Sequence, residues 1–344
     1  MRSPMQFPSP TVQAAPLRSS SDATQPLLAV RDVYKTYSLR HGQTLRAVDG
    51  VSFTVMPGEV LGLVGESGCG KSTLGRCLLR LNDVSAGQIV FDGQDITRLP
   101  ERILRPLRQQ MQMVFQDSYA SLNPRRRIGD LLAEPLRVHR TPDGRKHTPM
   151  TIAHRLEELM ELVSLPRAAL ERYPHEFSGG QRQRINIARA LVLSPRLVVA
   201  DEPVSALDVS VQAQIVNLFA DLQKSLGLTY VFIAHDLAVV RQISTRVAVM
   251  YLGAIVELGE TDTVLHNPAH PYTIALTQAV PRPIVGAARH APLRGEIPSP
   301  VNKPSGCRFH TRCPAVQTRC QNEAPTLTQI APNHEVACHY PILK

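Results

Sequence analysis

Short apolar runs rich in Val, Ile and Leu recur at 27–33, 51–55, 60–64, 89–91, 112–115, 197–201, 229–234 and 246–252. Runs of this length predict strands. Between them the apolar spacing changes to three and four residues. Val211, Ile215, Leu218, Leu222 and Leu226 share one face of a helix predicted over 209–226, and Gly227 stands where a left-handed C-terminal cap belongs. Leu74, Leu78 and Leu81 mark an earlier helical face. Strands alternating with helices predict an α/β fold of βα units with a largely parallel sheet. The stretch 117–176 has no β-branched runs and is rich in Leu, Arg and Glu. It reads as a helical insertion in which Leu131, Leu132, Leu136, Leu156, Leu159 and Leu162 pack together.

Composition adds the boundaries. Of 28 prolines, 5 fall in residues 1–26 and 12 in residues 266–344, so the compact part is expected over 27–265. At roughly 150 residues per domain, 344 residues allow about two domains. The first 26 residues, with a Ser-Ser-Ser run and no apolar h-region, read as a disordered tail and not a secretory signal. A hydrophobic content of 43% excludes global disorder, and no apolar run is long enough to cross a membrane. A cytoplasmic location is expected, where the six cysteines stay reduced. Net charge is +9, and residues 266–344 hold eight Lys/Arg against three Asp/Glu. Aromatic content of 5% and the absence of Trp give nucleic acid no stacking platform, so none is expected as a partner.

The strand at 60–64 leads into Gly65-Glu66-Ser67-Gly68-Cys69-Gly70-Lys71-Ser72-Thr73, a G-x-x-x-x-G-K-S phosphate loop in its strand–loop–helix setting. Glycines let the backbone N–H groups converge on phosphate oxygens, and the following helix adds its positive end. Lys71 is expected to neutralise the β- and γ-phosphates, with the Ser72 hydroxyl on Mg²⁺. Only the backbone of Cys69 is needed in the loop, and Cys77 reads as a small buried hydrophobe.

A second strand, 197–201, ends in Asp201 followed by Glu202. Asp201 can reach Mg²⁺, and Glu202 can accept a proton from an attacking water. Ser178-Gly179-Gly180-Gln181 opens a helical run as an S-x-x-Q capping box. The box alone does not call for two glycines, which expose backbone N–H groups as a second anion site. Two such sites in one chain point to a head-to-tail pair, each nucleotide lying between the loop of one subunit and the Ser-Gly-Gly of the other.

With these motifs the chain resembles the ATP-binding cassette (ABC) ATPases, which implies a P-loop NTPase nucleotide-binding domain with a helical subdomain, here 117–190. Phe177 stands before the signature Ser178–Gln181 where many members have Leu. The resemblance implies a dimer-contacting loop at 205–208 ending in Asp208, a γ-phosphate switch at His235, a glutamine linking Mg²⁺ to the helical subdomain at Gln116, and an aromatic for adenine at Tyr37. The runs 47–53, 65–76, 201–210 and 267–273 resemble more narrowly the ATP-binding subunits of bacterial dipeptide and oligopeptide permeases. That likeness implies ATP hydrolysis coupled to peptide import and a paralogous ATPase partner. It also implies two membrane permease subunits, a periplasmic or lipid-anchored substrate-binding protein, and a place on the cytoplasmic face of the inner membrane. Nickel, glutathione or another small solute stays open as cargo. Soluble ABC factors acting on ribosomes or DNA are disfavoured by one cassette and no heptad run, and exporters by the missing fused spans.

Cys307, Cys313, Cys320 and Cys338 remain, in a proline-rich tail with little apolar periodicity. Their spacing matches neither the usual zinc pairs nor a ferredoxin run, so a cluster, zinc and free thiols all stay open on residues alone. The resemblance of 298–300 and 306–314 to the tails of peptide-permease ATPases implies a 4Fe-4S cluster. Arg308, Arg312 and Arg319 are expected to offset thiolate charge, and His310, His334 and His339 are near enough in sequence to substitute as ligands.

Overall fold

A computed structural model describes residues 25–141, 143–279 and 295–343, so nearly all of the expected tail 1–26 lies outside the described residues. The chain opens with β1 (Leu28–Ser38) and β2 (Thr44–Val55), then crosses through β3 (Val60–Val64) into a second sheet. It returns to the first with β4 (Ala86–Phe91) and β5 (Gln94–Asp95), giving an antiparallel order β2-β1-β4-β5. β1 and β2 run well beyond their apolar stretches because their outer ends are half exposed and alternate with polar residues.

β6 (Met111–Val114), β7 (Leu197–Asp201), β8 (Thr229–Ile233) and β9 (Arg246–Tyr251) join β3 as parallel neighbours. β3, β7 and β8 are buried at every position, as strands covered on both faces must be, which is why they read as unbroken apolar runs. The sheet is not parallel throughout. Leu252 and Gly253, both at positive φ, reverse the chain straight into β10 (Ala254–Glu260), so Leu252 belongs to a tight turn and not to the preceding strand. β11 (Thr328–Ala331) and β12 (His334–Val336) extend this antiparallel edge, giving the order β11-β12-β10-β9-β3-β8-β7-β6.

Helices cover the parallel strands. α1 (Lys71–Leu78) follows the phosphate loop; it ends before Leu81, which is exposed, while Cys77 is fully buried as expected. A short α2 (Glu101–Leu107) precedes β6. α3 (Ile128–Val138), α4 (Pro149–Leu162) and α5 (Gly179–Leu191) form the helical layer, in which Leu131, Leu132, Leu136, Leu156 and Leu159 are buried and Leu162 is partly so. α6 (Val209–Leu226) ends at Gly227 in the left-handed region, and α7 (Leu237–Ile243) follows β8.

The last part of the chain is woven into this core. α8 (Thr261–His266) and α9 (Pro271–Ala279) follow β10, a short α10 (Thr318–Asn322) carries Cys320, and β12 pairs with β10 from Glu257 opposite Val336. Glu257 is fully buried, accepting from the Ala269 and His270 N–H groups and standing 2.8 Å from His334 Nε2. Burial pushes His270 down to about 4; its neutral ring accepts the Tyr272 N–H at Nδ1. The rings of Tyr251, Tyr272 and Phe309 meet with centroids 4.6 to 5.4 Å apart, tying β9, α9 and the cysteine segment together.

Candidate nucleotide site

The loop between β3 and α1 is shaped by two glycines, Gly65 and Gly70, that no other residue can replace without backbone movement. A Cβ on Gly65 would lie 2.1 Å from the Met250 carbonyl oxygen, and one on Gly70 2.1 Å from that of Ala47. Gly70, at φ 106°, is the N-cap of α1 and offers no side-chain cap, so the first N–H groups of the helix are left for an outside acceptor. Lys71 is buried and folded back, its Nζ 2.7 Å from Gly65 O and 3.0 Å from Glu66 O. Cys69 does more than supply backbone. Its buried sulfur fills the inside of the loop, and burial raises the thiol pKa, which keeps it neutral beside Lys71.

The acidic end of β7 faces this loop. Ser72 Oγ donates to Asp201 Oδ1 at 2.7 Å, and burial pushes the Asp201 carboxyl above its ordinary range, against the opposing Ser72 bond. Glu202 adopts φ 45°, a strained conformation for a non-glycine residue, at the point where the chain leaves the sheet. Its Oε2 accepts from Gln116 Nε2 at 2.9 Å and lies 3.7 Å from His235 Nδ1. A cleft of about 290 Å³ runs along these groups, lined by Tyr37, residues 67–73, Gln116, Glu202, Gly253 and Pro300. The Tyr37 hydroxyl accepts from Asn82 Nδ2 at 3.2 Å, and the Lys35 ammonium lies 4.8 Å from the ring centroid. The arrangement can cradle phosphates, hold a divalent cation between Ser72 and Asp201, and set a carboxylate where a water would attack.

Ser178, Gly179, Gly180 and Gln181 are not part of that lining. They open α5 with the expected box: Ser178 Oγ accepts the Gln181 N–H at 3.3 Å and Gln181 Oε1 accepts the Ser178 N–H at 3.1 Å. Gly180 has a further reason to be glycine. A Cβ there would lie 2.5 Å from Val211 Cγ1, so the glycine also admits α6. Asp208, exposed, is the N-cap of α6 beside this start.

Cys307, Cys313, Cys320 and Cys338, all free thiols, line one small cavity with Phe309, His310 and His339. Among the described residues no three His, Cys, Asp or Glu side chains are set to hold a single metal ion. The arginines expected to serve the thiolates are instead paired with carboxylates: Arg308 with Asp49, Arg312 with Glu66 and Arg319 with Glu323. His334, held on Glu257, does not line the cavity. Sequence reasoning missed two sets of contacts at the nucleotide cleft, namely Pro300 in its wall and Tyr272 with Arg312 on Glu66. Both cross more than 200 residues, and nothing local signals them.

Comparison with known proteins agrees with this geometry. The family model described as ABC transporter matches residues 48–205, and that described as oligopeptide/dipeptide transporter, C-terminal region, matches 256–320. The chain is 51% identical over 324 residues to the oligopeptide transport ATP-binding protein AppF of Bacillus subtilis, covering 91% of this chain and 97% of that one. Among solved structures it is similar to the ATP-binding cassette MJ0796, a dimeric post-hydrolysis state bound to ADP and Pi, with TM-score 0.61 and 27% identity over 68% of this chain and 98% of that one. A similar match is cbiO1 of Clostridium perfringens, with TM-score 0.60 and 27% identity over 70% and 90% of the two chains. No described helix is long and apolar enough to span a membrane. The chain is an ABC ATPase and belongs to the family of ATP-binding subunits of oligopeptide and dipeptide ABC transporters.

Proposed function

We propose that this subunit drives uptake of di- or oligopeptides by closing, with ATP, against a second and paralogous ATPase in a head-to-tail pair. One observation carries the reading. The cleft gathers phosphate loop, cation ligands and carboxylate from a single chain, yet the signature Ser178–Gln181 lies outside it, capped and partly exposed. Such a helix start serves a nucleotide held by another subunit. In the closed pair Tyr37 stacks on adenine, residues 65–73 wrap the phosphates, and Lys71 turns from the loop carbonyls to the β- and γ-phosphates. Ser72, Asp201 and Gln116 hold Mg²⁺ directly or through water, Glu202 takes the proton of the attacking water, and His235 contacts the γ-phosphate. Asp208 meets the partner.

The motion reaches two separate membrane subunits through the helical layer. A groove of about 310 Å³ lies between α3, with Pro135 and Val138, and the β6 side, with Met113 and Phe115. Its apolar floor suits a short helix from a permease subunit, and this contact holds the protein on the cytoplasmic face of the inner membrane. A substrate-binding protein on the other side delivers the cargo. Deleting the gene should abolish growth on a defined peptide as sole source of a required amino acid. The wild-type gene should restore growth and a Glu202→Gln copy should not; growth of the deletion strain at the normal rate rejects the peptide reading.

The tail fits a 4Fe-4S centre in its donor set, since four reduced cysteines face one cavity. Bound there, the cluster would act as a closed structural staple for a segment with few strands of its own. Anaerobic purification should yield a brown protein with about four irons per chain, lost on Cys313→Ser. A colourless anaerobic preparation without iron overturns the assignment.

A further inference from the structure

Glu66, the second residue of the phosphate loop, is held on three sides. Its N–H donates to the Tyr272 hydroxyl at 2.9 Å, its carbonyl accepts from Lys71 Nζ at 3.0 Å, and its carboxylate meets Arg312. Two of these three partners come from beyond β10. The Arg312 contact is a two-pronged one, with Nη1 2.7 Å from Oε2 and Nη2 3.0 Å from Oε1. The Arg312 side chain is only 4% exposed, against 21% for Glu66. Its guanidinium also lies 3.4 Å from the Tyr251 hydroxyl and near the Tyr251 and Phe309 rings, so packing sets its direction. Backbone bonds in the turn between Cys307 and Cys313, including Arg312 N–H to Phe309 O at 3.0 Å, hold its main chain.

A carboxylate beside a loop built to receive a triphosphate is an electrostatic liability. Bare, it repels the incoming anion and competes for Lys71. We propose that Arg312 is a positioning residue for nucleotide binding, neutralising Glu66 and fixing the first turn of the phosphate loop from the C-terminal extension. A second strut has the same origin: Lys303 Nζ and Arg308 Nη2 lie 3.0 and 2.9 Å from Asp49 Oδ2 on β2, the strand that pairs with Tyr37. The extension thereby grips both the phosphate side and the adenine side of the cleft.

The inference rests on residues 65–73 being the ATP loop, and the test separates the two. Nucleotide affinity is measured with a fluorescent ATP analogue on the full chain, and KM and kcat for ATP on the assembled ATPase pair. Arg312→Met should raise Kd and KM about tenfold with a smaller fall in kcat, and Arg312→Lys should recover part of the loss. In a Glu66→Gln background, where the carboxylate charge is gone, Arg312→Met should cost less than about twofold. Should Arg312→Met not fold, Arg312→Lys read in the two backgrounds carries the same comparison. An equal loss in both backgrounds, or unchanged Kd in a folded Arg312 variant, overturns the positioning role. Lys71→Ala serves as the control: normal binding by that variant would mean that the loop assignment itself had failed.

Discussion

Two helices of this protein begin in glycines, and their starts are built in opposite ways. α1 begins at Gly70, with a left-handed N-cap, no side-chain cap, a buried lysine at its first position and Asp201 and Glu202 across from it. α5 begins at Ser178 with a closed capping box and an exposed N-cap residue. The first start has no side-chain cap, so its N–H groups are open to an outside acceptor such as a phosphate. The second pairs the Ser178 and Gln181 N–H groups within its own box, and its glycines between them serve close approach, to α6 in this chain and to a nucleotide from outside in the proposed pair. A glycine-rich helix start is therefore ambiguous until its cap and its neighbours are known.

The contrast can be broken or sharpened by substitution. The largest effect is expected from Glu202→Gln, which should lower steady-state ATP turnover about 10²–10⁴-fold while sparing binding. Near-normal phosphate release by a contaminant-free preparation would move the general-base role elsewhere. Ser178→Arg, which fills the approach to the α5 glycines, should cut hydrolysis by the assembled pair about a hundredfold. Affinity in the isolated subunit should stay within about twofold, and an equal loss there would put the signature in the same site as α1. Lys71→Ala should weaken binding of ATP to the isolated subunit by roughly 10–100-fold, the worth of hydrogen bonds to a charged partner, as read by equilibrium titration. The smallest change is Ser178→Ala, which removes one cap and should cost about 1 kcal/mol in denaturant unfolding. A similar loss of hydrolysis with Ser178→Ala and Ser178→Arg would mean that the cap itself, not access to the glycines, limits the reaction.

The cassette was far more legible than the tail. β3, β7 and β8 announce themselves because strands buried on both faces are continuously apolar, and α6 because its buried face repeats every three to four residues. The phosphate loop is legible because its chemistry is local: nine consecutive residues hold the glycines, the lysine and the hydroxyl. β10 lies behind a turn of only two residues, and the short hairpin of β11 and β12 is anchored in the sheet by the pairing of β12 with β10, about 80 residues earlier.

The amino-acid sequence by itself determined the family, the α/β alternation and the residues of the phosphate loop, acidic strand end and signature, because each is written in contiguous residues. Only the tertiary structure decided where the charges go. Arg308, Arg312 and Arg319 look alike in a basic tail rich in cysteine, and a count of charges assigns them to thiolates. Folding instead brings Asp49 and Glu66 across more than 240 residues to meet the first two. A desolvated guanidinium is costly unless a carboxylate pairs with it. Which carboxylate is available depends on the path of the whole chain, and no local pattern records that path.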